Sequence, residues 1–186
     1  MATMRTKRDR KPPPPLDPVR LEELALAYVA RFATSASKVQ GYLVRKLRER
    51  GWAGDRPADP AAIVDRFVEL GYIDDAAWAR AKSGGLLRRG YGARRVDQAL
   101  GAAGIAEDIR ADVRPEEAEA RRAAVALASR RRFGPWGGDA PDREQRQKQI
   151  AAMVRAGHGF DAARAVVDAP SVVAAEDWAA EAEETE

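Results

Sequence analysis

The chain contains no cysteine, which removes disulfides, thiolate metal sites and cysteine nucleophiles together. Its single histidine, His158, lies between Gly157 and Gly159 with no serine partner close in sequence. A lone histidine in such a loop reads as polar surface rather than as a catalytic base. Gly-x-x-x-x-Gly-Lys phosphate loops, His-Glu-x-x-His metal sites and Gly-x-Gly-x-x-Gly fingerprints are all missing. The sequence therefore predicts no enzyme, no cofactor and no metal. The neighbouring carboxylates Asp74 and Asp75 could hold a cation, but helix capping explains them more simply. No apolar run approaches the roughly 18 residues that cross a bilayer. The start, Met1-Ala2-Thr3-Met4-Arg5, leads into bases and prolines rather than the apolar segment of a secretory signal. A soluble, cytoplasmic, monomeric protein is the expectation.

Bases are missing from the end of the chain. From Ala169 onward there are six acids (Glu176, Asp177, Glu181, Glu183, Glu184 and Glu186) and no Lys or Arg. The formal charge of +3 hides this, because the remainder carries 32 bases against 23 acids. A basic body with an acidic tail is compatible with a polyanionic partner, and equally with a plain solubilising surface.

What is present is helical patterning. Residues 1–16 read as a basic, Pro-rich arm, with Arg5, Lys7, Arg8, Arg10 and Lys11 ahead of Pro12–Pro15. Asp17-Pro18 opens a first helix lined by Leu21, Leu24, Ala25, Tyr28 and Phe32. Thr34, Ser35 and Ser37 offer caps for a second, carrying Val39, Leu43 and Leu47 up to Gly51. Asp59-Pro60 starts a third with Ile63, Phe67 and Leu70. A fourth follows Asp74-Asp75, where Gly84-Gly85 predicts a kink or an early end. Arg89-Gly90-Tyr91-Gly92 is a turn before a helix with Val96 and Leu100 that ends at Gly104. Short and long helices are expected over 107–113 and from Pro115 to about Arg132. After the Phe133–Gly138 loop, Asp142 caps a helix with Ile150, Met153 and Val154, and Asp161 opens the last. No alternating β-branched run occurs, so the fold class is all-α.

Fixed-period similarity supports repetition. Leu47 to Gly51, Leu100 to Gly104 and Met153 to Gly157 share an apolar residue four before a helix-ending glycine. The glycines are spaced 53 residues apart in both steps. Three tandem three-helix units are expected, over 17–72, 73–114 and 115–168, in an elongated and curved arrangement, with an acidic tail over 169–186. Trp52, Phe67, Tyr72 and Trp78 read as packing residues, and Trp136 as the most exposed aromatic.

Three stretches then carry a specific likeness: Val39–Trp52, Leu70-Gly71-Tyr72-Ile73-Asp74-Asp75 with Trp78 three residues on, and Arg88-Arg89-Gly90-Tyr91-Gly92-Ala93-Arg94-Arg95-Val96 running on to Gly104-Ile105. In this order and separation they resemble the RecX family of recombination regulators over about residues 20–168. The arm and tail lie outside the family pattern, and Gly84-Gly85 departs from it. The third unit keeps only Met153–Gly157 and Phe160. The resemblance implies three helix triplets and a non-enzymatic modulator of the RecA recombinase that binds the RecA–DNA filament. It implies inhibition of filament extension or activity, in recombination, DNA repair and the SOS response.

The chemistry such a role needs would reside in basic clusters: Arg45, Lys46 and Arg48; Arg88, Arg89, Arg94 and Arg95 around Tyr91; and Arg130, Arg131 and Arg132. Each cluster alone is explained by a solvated helix face. Together, near helix ends, they also suit filament contact or weak, non-specific contact with single-stranded DNA, with Tyr91 stacking on a base. A helix-turn-helix transcription regulator is the competing reading. It should concentrate its bases on one recognition helix.

Overall fold

The computed structural model describes residues 13–138 and 141–182, which form ten α-helices and no β-strand. The basic residues expected in the arm, Arg5 to Lys11, and the terminal acids Glu183, Glu184 and Glu186 lie outside the described residues. The chain divides into two compact units, 1–74 and 75–186.

The first unit contains α1 (Pro18–Val29), α2 (Ala36–Arg50) and α3 (Pro60–Glu69). Asp17 and Asp59 cap α1 and α3, their side chains accepting from the backbone N–H of Arg20 and Ala62, with proline in the first turn of both helices. Leu21, Ala25, Val39, Leu43, Val64 and Phe67 interdigitate as the core. Truncating a buried aromatic such as Phe67, 2% exposed, costs about 3–5 kcal/mol.

Three expectations are corrected here. The first helix stops at Val29, so Phe32 lies beyond it, 54% exposed. Val64, not Leu70, joins Phe67 in the core, because Leu70 caps α3 and turns outward. The proline arm ends in the core rather than outside it: Leu16 is fully buried and bonds to the Gly51 carbonyl and the Ala53 N–H. Arg50 secures the same junction, donating Nε and Nη2 to the Pro14 carbonyl at 3.1 and 2.9 Å.

The second unit holds α4 (Asp75–Arg88), α5 (Ala93–Gly101), α6 (Glu107–Asp112), α7 (Glu117–Arg131), α8 (Arg143–Arg155), α9 (Phe160–Val167) and α10 (Val172–Ala180). Helix α4 runs unbroken through Gly84-Gly85, since buried Leu86 and Leu87 reward its last turn. Asp142 forms a reciprocal capping box with Gln145 at the start of α8. At the far end of α9, Arg146 grips the Asp168 carboxylate through Nε and Nη2, which holds that carboxyl below its usual range.

The helix opened by Asp161 is not the last. Within the stretch expected only as an acidic tail, Ser171 caps α10, whose Ala175 and Ala179 pack inward. Arg121 of α7 holds it, donating to the Trp178 carbonyl at 2.9 Å with its guanidinium 4.7 Å from the Trp178 ring. Trp136 is half-buried against the core of the second unit that includes Leu127, Met153 and Val166, because the Gly134-Pro135-Trp136-Gly137 segment winds into a 3₁₀ turn beside α9. The well-exposed aromatics among the described residues are Phe32, Tyr72 and Phe160. Tyr72 still packs as expected on one side, edge-on to the Phe67 ring.

Candidate functional site

The residues of the central turn are set by α7. Gly90 has φ of 80°, and a Cβ there would stand 2.8 Å from the backbone of Leu127, so the end of α4 lies directly on α7. Arg130, in the last turn of α7, donates Nη1 to the Arg89 carbonyl at 2.7 Å and Nη2 to the Arg88 carbonyl at 3.1 Å. These are carbonyls that a helix end leaves without an internal partner. Arg89 folds back, its Nε donating to the Gly85 carbonyl at 3.1 Å, with its guanidinium 6.0 Å from the Tyr91 ring.

A second contact sets the other wall. The N–H of Gly92, which precedes α5, donates to the Ala156 carbonyl beyond α8 at 3.0 Å. Arg94 N–H reaches the Gly157 carbonyl at 3.2 Å, and Arg94 Nη2 reaches the His158 carbonyl at 2.6 Å. His158 is 3% exposed, a correction to its expected place on the surface. The ring Nε2 lies 2.9 Å from the Gly90 carbonyl. A carbonyl only accepts, so Nε2 carries the proton. Burial holds the His158 pKa below its ordinary value; the Gly90 bond opposes that shift and the Arg94 charge adds to it.

Between these walls lies a groove of about 480 Å³ lined by Arg89, Tyr91, Arg95, Leu127, Arg130, Arg131, Phe133, Ala152, Arg155 and Ala156. Five of the ten residues are arginines and none is acidic. Arg130, Arg131 and Arg155 each sit in the last turn of a helix, where the dipole favours a cation. Planar guanidinium forks of this kind suit phosphate or carboxylate oxygens. The groove is therefore cationic, with no carboxylate in its lining to balance it.

The sequence-selected residues do not all gather here. Arg89, Tyr91, Arg95, Arg130 and Arg131 line the groove. Arg88 contributes only its carbonyl, and Arg132 is an exposed left-handed cap with φ of 55°. Arg94 is committed to His158 and faces a neighbouring cavity of about 390 Å³ with Arg110 and Arg114. Arg45, Lys46 and Arg48 belong to α2 of the first unit. There Lys46 bonds Glu49 at 2.6 Å and Arg45 approaches it at 3.7 Å. Both cations also lie over the Tyr42 ring. Glu49 is held below its usual pKa, first by the Lys46 bond. Sequence reasoning missed Arg155 and Phe133. Arg155 was legible on the same ground as Arg130, a cation in the last turn before a helix end.

Fold and groove together define a helical protein whose prominent site is a cationic surface groove. No helix among the described residues is long and apolar enough to cross a membrane. No family model matches the chain. Regulatory protein RecX of Myxococcus xanthus is 31% identical over 174 residues, spanning 87% of this chain and 92% of that protein. Regulatory protein RecX of Thermus thermophilus is 33% identical over 162 residues, spanning 87% of this chain and 95% of that protein. The crystal structure of RecX from Lactobacillus salivarius shares the fold with a TM-score of 0.61 at 18% identity, over 78% of this chain and 90% of that one. This chain belongs to the RecX family of regulatory proteins.

Proposed function

We propose that this chain regulates the RecA recombinase in the cytoplasm, binding the RecA–DNA filament and restraining its extension or activity during recombination and repair. It acts by binding rather than by catalysis. The supporting observation is the groove itself, which sets five arginines together with no carboxylate among them. Their mutual repulsion is relieved when an anionic surface enters and displaces counterions.

Single-stranded DNA is contacted weakly and without sequence preference, since guanidinium groups read phosphates rather than base edges. Tyr91 and Phe133, in the same lining, supply faces on which bases stack. Each phosphate engaged steepens the dependence of log affinity on log salt by about 0.7 for a single strand.

The direct test is RecA-dependent ATP hydrolysis on single-stranded DNA with this protein titrated in. Substoichiometric protein should depress the rate. An unchanged rate at stoichiometric protein defeats the reading.

A further inference from the structure

We propose that His158 is a positioning residue for the groove. Its ring, seated on the Gly90 carbonyl, fixes the turn bearing Arg89, Tyr91 and Arg95 against the segment bearing Arg155. The proposal rests on the arginine groove being the polyanion site.

Two backbone segments meet at this seam with almost no space between them. A Cβ on Gly92 would stand 2.4 Å from the Gly157 carbonyl group, and one on Gly157 would stand 2.4 Å from the Arg95 nitrogen. Only a pair of glycines permits that approach. Four hydrogen bonds cross the seam, and they run in both directions. Gly92 and Arg94 donate backbone N–H groups to Ala156 and Gly157 at 3.0 and 3.2 Å. The Arg94 guanidinium donates to the His158 carbonyl at 2.6 Å, and His158 Nε2 donates to Gly90 at 2.9 Å. Of these four, only the His158 bond reaches the far side of Tyr91, so from this seam Tyr91 is held between Gly90 and Gly92.

The ring's partner explains why this is more than a satisfied core histidine. A histidine serving only the core could bond any local carbonyl. This one bonds a residue 68 positions away in sequence, in the turn whose next residue, Tyr91, lines the groove. The imidazole adds no ligand contact of its own, since it is absent from the lining. Its effect reaches the ligand through the spacing of the two walls.

Three variants test this: His158→Gln, which keeps a donor of similar reach; His158→Asn, one methylene shorter; and His158→Leu, which keeps volume without a donor. Amide exchange at Gly92 and Arg94 reports the seam. Fluorescence anisotropy of labelled oligothymidylate at low salt reports the groove, and circular dichroism melting reports the fold. The Leu variant should exchange both amides faster and lose oligonucleotide affinity by about threefold to tenfold, the range expected for one hydrogen bond. The Gln variant should restore most of both. If the Leu variant fails to melt cooperatively, the comparison of Gln with Asn takes its place, with Asn the weaker binder. Full oligonucleotide affinity in a folded variant lacking the donor overturns the proposal, as does unchanged exchange at Gly92 and Arg94. A wild-type chain that does not hold oligothymidylate at low salt overturns the groove reading, and the positioning role falls with it.

Discussion

The cations of α2 and those of the groove look alike in sequence and behave differently in the structure. Arg45 and Lys46 share one carboxylate, Glu49, within a single helical turn. Their stems and charges are occupied with it and with Tyr42. In the second unit Arg89, Arg95, Arg155 and the α7 pair Arg130 and Arg131 arrive from four segments onto one concave surface with no acid among them. A charge run therefore reports little until its i+3 and i+4 neighbours are known, because pairing along a helix absorbs the charge that a ligand would otherwise use.

The contrast is broken most forcefully by charge reversal. Arg95→Glu, Arg131→Glu and Arg155→Glu together should weaken oligothymidylate binding by more than about tenfold at low salt, through lost counterion release and new repulsion. RecA restraint should go with it. The same reversal at Arg45, Lys46 and Arg48 should cost clearly less. Helical content should survive in both, with a modestly lowered melting midpoint, because reversal puts acids in the last turns of α7 and α8 in one variant and beside Glu49 in the other. Arg130 and Arg94 are spared in this design, because each ties down backbone carbonyls. Equal losses from the two triples would erase the distinction between the units.

Next in size is Gly92→Ala. The new Cβ would stand 2.4 Å from Gly157 backbone atoms, and neither backbone can yield cheaply. Destabilisation of about 1–3 kcal/mol is expected from overpacking of this kind, read as a lowered melting midpoint. The first unit has no matching vulnerability at Gly51, where a Cβ meets nothing within 4 Å; there only the positive φ opposes substitution.

A smaller effect separates the units by pH. The only histidine belongs to the second unit, and burial holds its pKa below the ordinary value. The unfolded chain binds that proton near pH 6.5, while the folded chain resists it. The contribution of His158 to stability is thus complete above about pH 6.5 and declines as pH falls below it. Thermal melts of the wild type and His158→Gln should show a steeper decline in the wild type from about pH 6.5 towards about 5.5. Parallel curves would mean that His158 carries no such linkage.

Smallest of all is Glu49→Gln. Freeing Arg45 and Lys46 should raise oligothymidylate affinity slightly and steepen its salt dependence, moving the first unit towards the second. Affinity that stays fixed would show that α2 takes no part in polyanion contact.

The helix pattern was legible because its punctuation is local. Asp17, Asp59 and Asp142 each cap the helix that the sequence predicts they open. Gly51, Gly104 and Gly157 all adopt positive φ. The misses at His158 and Leu16 have a common cause in long-range packing. Nothing within a few residues of His158 announces Gly90, and nothing near Leu16 announces Gly51 and Ala53. Helix α10 carries a usable pattern, Ser171 followed by Ala175 and Ala179 on the buried face. The groove was half legible. Composition flagged the arginine clusters of the second unit, and only tertiary contact could sort Arg89, Arg95, Arg130 and Arg131, which line the groove, from those engaged elsewhere.

The glycine pair in α4 has a practical side. Gly85 stands in a helix interior where an added methyl group meets nothing within 4 Å, and at Gly84 the one close atom is the far end of the flexible Arg88 side chain, 3.1 Å away. Alanine is favoured over glycine in such a position by about 1 kcal/mol. The last turn of α4, which carries Arg88 and leads into Arg89, is thus held by Leu86, Leu87 and Arg130 against a backbone with weak helical preference of its own. Gly85→Ala offers a hardened scaffold for solution work that leaves every groove side chain in place, a margin of thermostability that the natural sequence has left unused.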